Sequence, residues 1–271
     1  MTSAAAWLAV DSRGPSAFYL ASDSRISWEH LGGRWDFGRK LFASRNFPDI
    51  FGYCGDVLFP SLALGQALSL ADKRVLFAPD DGPLIRHQKL ITTVKFSFGS
   101  YPPEVRRDFT ILHASRENSG MASQFYFWSL EWSPSRGWAS KLLDLPKESV
   151  LVLAVGSGKQ SLMDWNREWR ERLGRTSRSV FGSFCDSLRS RQDPNSGGAP
   201  QLVGIYRTGA ARSFGVIYDK QRFLFGMPIT DECSCDSAEW RNCLFERCDG
   251  RTMERLESAQ PQPRPDRNKQ W

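Results

Sequence analysis

The sequence predicts an α+β fold, a four-layer αββα sandwich with two antiparallel sheets between layers of helices. Two observations predict it. Strand-like and helix-like runs alternate in blocks, in the order strands, two helices, strands, two helices, strands. Strands joined by short turn-rich links favour antiparallel pairing, and helices grouped in pairs between them need a sheet face to cover. The composition agrees: 271 residues, 41% hydrophobic with 10 Trp and 18 Phe, supply core for one large domain or two modest ones.

The elements follow in order. "AAWLAV" (5–10) and "AFYLASDSR" (17–25) flank the turn-rich "DSRGPS" and read as a hairpin. "KLFAS" (40–44) and "IFGYCGD" (50–56) flank "RNFPD" in the same way. At "PSLALGQALSLADKR" (60–74) the apolar spacing changes to three and four, and Pro60 suits a first helical turn. "PLIRHQKLITTVKFSF" (83–98) is a second helix. Strand character returns at 108–115, 123–132, 137–145 and 149–158, the last ending in a Gly-flanked turn. Helices follow at 159–173 and 177–191, then strands at 201–207, 211–218 and 221–227.

This pattern gives a main domain over 2–228, a Cys-containing extension over 229–256 and a Pro-, Gln- and charge-rich tail over 257–271 that reads as disordered. Cys233, Cys235, Cys243 and Cys248 are spaced C-x-C-x7-C-x4-C. Four thiolates could make a tetrahedral zinc site, but the first pair lacks the C-x2–4-C spacing of a knuckle, and reduced thiols are the default reading. His30, His87 and His113 have no ligand spacing and read as structural, and Cys54 and Cys185 read as small core residues.

The net charge of +6 comes from scattered Lys and Arg, with one cluster at 166–178 that reads as a solvated helix face, so no nucleic-acid partner is expected. No run approaches the roughly 18 apolar residues of a membrane span, and the N-terminal stretch reads as a strand and not a signal peptide. The expected compartment is the cytoplasm.

The chemistry starts at Thr2. It is small enough for Met1 to be removed, which would leave a hydroxyl beside a free α-amine. A threonine hydroxyl alone is a poor nucleophile, but an adjacent amine of pKa about 8 can take its proton. Asp23 and Arg25 share a strand end, where an i, i+2 charged pair is ordinarily a surface ion pair. Lys40 follows, and an Asp–Lys pair near an amine would set the local proton balance. Gly55 could offer a backbone N–H to an oxyanion. "DPNSGGAP" (193–200) carries Asp, Ser and a Gly-Gly pair in what would otherwise be a plain connection.

In this order and spacing, the residues resemble those of proteasome β-type subunits and the simpler HslV peptidases, within the N-terminal-nucleophile hydrolases. The likeness runs from Thr2 to about Tyr218. It carries Thr2 as nucleophile, with Asp23, Arg25, Lys40 and Gly55 on the first hairpins. Ser157 falls in "VGSGK", and Asp193, Ser196, Gly197 and Gly198 in the Asp-x-x-Ser-Gly-Gly loop, which folds back on the N-terminus in that family. The first hairpin is longer than usual, "RWDFGRK" is bulky where the substrate strand begins, and the C-terminal 45 residues match nothing in the family. The resemblance implies a threonine-type endopeptidase acting on polypeptides, with no metal or organic cofactor. It also implies a homo-oligomeric ring and an ATP-dependent unfoldase or other activator. Two alternatives stand beside it: an inactive structural subunit of the same fold, and an amidase of the wider class acting on a small molecule.

Overall fold

The computed structural model describes residues 2–28, 32–230 and 234–261. Met1, His30, Cys233 and the tail from 262 onward therefore lie outside the described residues.

β1 (Ser3–Asp11) and β2 (Gly14–Ser22) form the expected hairpin, closing at the Asp11–Gly14 pair. They continue into a nine-stranded sheet, flanked by β10 (Val150–Gly156) on one side and β11 (Gln201–Tyr206) and β12 (Arg212–Tyr218) on the other. β13 (Gln221–Leu224) and β14 (Met227–Ile229) extend the edge. A five-stranded sheet runs in the order β5 (Leu41–Ala43), β6 (Asp49–Gly55), β7 (Phe109–Glu117), β8 (Gln124–Ser133), β9 (Gly137–Leu142). The α-helices are α1 (Leu58–Asp72), α2 (Pro83–Gly99), α3 (Lys159–Leu173) and α4 (Ser177–Ser190).

The expected four-layer αββα sandwich is overturned. The described residues are mostly antiparallel sheet, sixteen strands in three sheets, and only 26% helical with four α-helices. Two segments that the sequence pattern did not assign supply four of the additional strands, and the run read as one strand over 221–227 is divided into β13 and β14. β3 (Ile26–Trp28) and β4 (Gly33–Trp35) make a separate two-stranded sheet. β15 (Glu239–Asn242) and β16 (Arg247–Cys248) add the C-terminal extension to the large sheet, with β15 parallel to β12. Such short strands hold too few residues for a period to register, and a parallel pair contributed by a distant segment leaves no local turn signal.

Strand alternation divides the core. Ala5, Trp7, Tyr19 and Phe214 point into one cluster with Phe181 and Phe184 of α4 and Leu162 of α3. Ala4, Ala6, Leu8, Phe18 and Leu20 point the other way, onto Leu41, Ile50, Leu112 and Phe127 of the five-stranded sheet. α1 and α2 contribute Leu64, Leu90, Val94 and Phe98 to a third cluster with Phe51, Tyr53 and Phe109. Each fully buried side chain of this size stabilises by roughly 1.5–3 kcal/mol relative to exposure. α1 and α2 also leave Leu58, Leu62, Leu84, Ile85 and Phe96 exposed. No helix among the described residues is long and apolar enough to cross a membrane.

His87 and His113 form a buried relay. Their Nδ1 atoms lie 2.9 Å apart, His113 Nε2 meets Asp49 Oδ1 at 2.9 Å, and Arg86 Nε pairs with Asp49 Oδ2 at 2.8 Å. Trp128 stacks on both rings. Burial, then the neighbouring His113, pushes His87 down to about 3, and burial lowers His113 against the pull of Asp49. The unfolded chain takes up the His87 proton below about pH 6.5 while the folded chain keeps that ring neutral down to about pH 3, so this contribution to stability is complete above pH 6.5 and is lost progressively toward pH 3, with lowered His113 acting in the same direction. Thermal melting should show a lower midpoint at pH 5 than at pH 7.5, and His87→Phe, which keeps the stacking on Trp128, should flatten that slope. An unchanged slope would place the acid sensitivity elsewhere.

Candidate active site

The ends of β1 and β2, the turn into β5 and the loop between α4 and β11 converge on one buried polar centre. Asp23 and Lys40 are both fully buried, and Lys40 Nζ donates to Asp23 Oδ1 at 2.7 Å and to Arg25 O at 2.5 Å. Asp23 is further held by three backbone amides: Ser3 N on Oδ1 at 3.0 Å, and Gly197 N at 3.0 Å and Arg25 N at 3.2 Å on Oδ2. Burial pushes the Asp23 carboxyl upward, against the pull of Lys40 and of the Gly197 and Ser3 amides. A buried ion pair is tolerated only where such extra donors complete its hydrogen bonding.

Arg25 makes no side-chain pair with Asp23. Its guanidinium forks onto Asp36, Nε to Oδ1 at 2.7 Å and Nη2 to Oδ2 at 2.8 Å, and its Nη1 reaches the carbonyls of Pro194 and Ser196. Asp23 turns inward to Lys40, whereas Arg25 reaches across to Asp36 and the 193–198 loop. Gly197 is confined by that guanidinium, because a Cβ there would sit 2.4 Å from Arg25 Cζ. Gly198 turns the chain with φ +70°, the left-handed region that a side chain disfavours.

A second cluster gathers around Asp193. Ser157 Oγ donates to Asp193 Oδ2 at 2.7 Å and Ser196 Oγ donates to the same oxygen at 2.6 Å. With its hydrogen given to the carboxylate, Ser196 accepts from Ser3 Oγ at 2.8 Å. Burial acts to raise the Asp193 carboxyl, but the two hydroxyls and the Asn195 amide outweigh it and hold it below the usual range. Gly158 is required for this approach: a Cβ there would lie 1.8 Å from Ser3 Oγ.

Thr2 sits immediately before these groups. It is fully buried, and its Oγ1 has no hydrogen-bond partner among the described residues. The amide that follows it, Ser3 N, is the one bound to Asp23. Its carbonyl packs so closely on Gly156 that a Cβ there would lie 1.6 Å from the oxygen and 3.1 Å from Cys54 Sγ. Gly55 comes next after Cys54. Tyr53 N donates to Lys40 O at 3.3 Å, and strand amides alternate in direction, so the Gly55 N–H faces the same edge as Lys40.

Thr2, Asp23, Lys40, Ser157, Asp193, Ser196 and the two glycines of the loop are thus brought together, with Arg25 locking the loop. Three contributors escaped the sequence reading. Ser3 joins both clusters, and Asp36 anchors Arg25. Gln201 ties the elements together, accepting from Lys40 N at 3.0 Å and donating to Gly38 O at 2.8 Å and Asp23 O at 3.1 Å. A Gln opening the apolar run "QLVGIY" was the one available signal. The described thiols of the extension do not gather at one point: Cys235 and Cys248 pack with Trp240, whereas Cys243 turns to a different cluster on α4. No group of three or more metal-ligating side chains is found among the described residues, and Cys233 lies outside them.

No protein-family model matches this chain, and no curated protein sequence matches it.

Proposed function

We propose that the chain is an N-terminal threonine hydrolase of the proteasome and HslV type, cleaving peptide bonds with Thr2 after loss of Met1. The observation that carries the reading is the buried Thr2 Oγ1, without a hydrogen-bond partner among the described residues, on the residue that precedes Ser3, whose amide binds Asp23 of the Lys40–Asp23 pair and whose hydroxyl binds Ser196 of the Asp193 cluster. Leaving a buried hydroxyl without a partner costs about 1–3 kcal/mol, so stability alone does not favour threonine there.

In this reading Thr2 Oγ attacks the substrate carbonyl and its proton passes to the Thr2 amine, directly or through water. Lys40, fixed by Asp23, supplies a positive field beside the hydroxyl. The Gly55 N–H receives the developing oxyanion. Ser157, Asp193 and Ser196 hold the amine and a water. The C–N bond breaks with the proton delivered to the leaving amine, and water then hydrolyses the ester on Thr2. Exposed Leu58, Leu62 and Phe96 on α1 and α2 suit contacts within a closed homo-oligomeric ring, which keeps such a centre away from folded proteins. The reading includes a cytoplasmic setting and an unfoldase or other activator that feeds the ring.

Intact-mass analysis and labelling with a β-lactone test it. The expected result is a chain lacking Met1 that carries one acyl adduct, mapped to Thr2. Retained Met1, or an adduct on a cysteine, would overturn the mechanism. A monodisperse monomer that hydrolyses small amides and not peptides would favour the amidase alternative.

A further inference from the structure

The C-terminal extension carries a thiol that the proposed chemistry does not use. Cys243 lies in the turn between β15 and β16 and inserts into the cluster built around α4, beside Phe181, Phe184 and Cys185. Cys185 is fully buried and Cys243 nearly so. Cys185 and Arg189 stand four residues apart on α4, which puts them on one helix face. Both meet Cys243 there. Arg189 Nη2 reaches Cys243 Sγ at 3.0 Å, and Cys185 and Cys243 are packed in the same buried cluster, close enough for each thiol to act on the other's titration. The Cys243 thiol donates to Ile217 O at 3.5 Å. Arg189 is held in place by Asp219, Nε to Oδ1 at 3.0 Å, and by stacking over Tyr218.

We propose that Cys243 and Cys185 form a peroxide-reactive dithiol, with Cys243 as the attacking thiolate and Cys185 as the resolving thiol. A guanidinium against one sulfur and an apolar wall around the other give the asymmetry such a pair needs. Cys185 and Arg189 lower the Cys243 thiol against the effect of burial, while burial raises that of Cys185. Cys54 and Cys248 are raised to about 11 by burial and make poor competitors.

The chemistry balances with hydrogen peroxide as oxidant. Cys243 thiolate attacks one peroxide oxygen, the O–O bond breaks, and with one proton a water leaves, giving the sulfenic acid. Cys185 sulfur then attacks that sulfur, the S–O bond breaks, and the Cys185 proton leaves with the hydroxyl as a second water. Two thiols become one disulfide, and the extension is tied to the helix that leads into the 193–198 loop.

Full-length protein is reduced, freed of reductant, exposed to a small excess of hydrogen peroxide, blocked with an alkylating agent and mapped by mass spectrometry. The expected product is a Cys185–Cys243 cross-linked peptide pair and an intact mass lower by two hydrogens. Cys185→Ser should stop at a single added oxygen on Cys243, trapped by a 1,3-dione. Arg189→Leu should slow the reaction by about tenfold, the effect of a one-unit rise in thiol pKa. Alkylation of both cysteines after peroxide, or oxygen addition on Cys54 or Cys248 in their place, would overturn the proposal. The wild-type map requires no variant to fold.

Discussion

Thr2→Ala is expected to abolish peptide hydrolysis, by about three orders of magnitude or more, while leaving the melting temperature unchanged or slightly raised. The activity loss follows from the proposed role, since removal of a covalent nucleophile leaves only binding and oxyanion contributions. The stability result follows from the geometry. Thr2 Oγ1 is buried without a hydrogen-bond partner among the described residues, so deleting it removes a desolvated hydroxyl and breaks no bond among them. Paired measurement of turnover and thermal unfolding separates the possibilities. A variant that is destabilised and still active would make Thr2 a packing residue. Thr2→Ser keeps hydroxyl and amine and should retain partial turnover.

The second large effect lies at Lys40. Lys40→Met should destabilise the fold by about 3–5 kcal/mol, because it leaves the Asp23 carboxylate buried without its cation. In a chain of this size, that corresponds to a melting temperature lower by on the order of ten degrees. Asp23→Asn together with Lys40→Met should cost much less than the sum of the single changes, since the double variant buries no net charge. Lys40→Arg should not restore hydrolysis: the longer planar guanidinium cannot reproduce a point charge bound to both Asp23 Oδ1 and Arg25 O in a closed space. Additive losses in the double variant, or near-normal rates in Lys40→Arg, would show that the pair has no special electrostatic role.

The sequence by itself determined the succession of long elements. β1, β2, β6 to β8, β10 and the four α-helices fall where apolar periodicity and turn residues put them, because a period of two or of 3.6 is a local property of the chain. It also singled out Asp23, Lys40, Ser157, Asp193 and Ser196, polar residues at strand ends and in one glycine-bearing loop. What it did not contain was the way these elements assemble. The parallel pairing of β15 with β12 and the separate β3–β4 sheet arise from contacts that no local pattern encodes. Arg25 pairs with Asp36, not Asp23, because the turn after β2 sends the two side chains in opposite directions. Cys243 leaves its neighbours Cys235 and Cys248 and lies against Cys185, nearly sixty residues earlier in the chain. Spacing left a cluster of four thiols open beside the default of reduced thiols, and the turn between β15 and β16 carries Cys243 to α4. The residue types are set locally, whereas their partners are set by where hydrophobic burial closes the chain on itself, and a single sequence does not state that in advance.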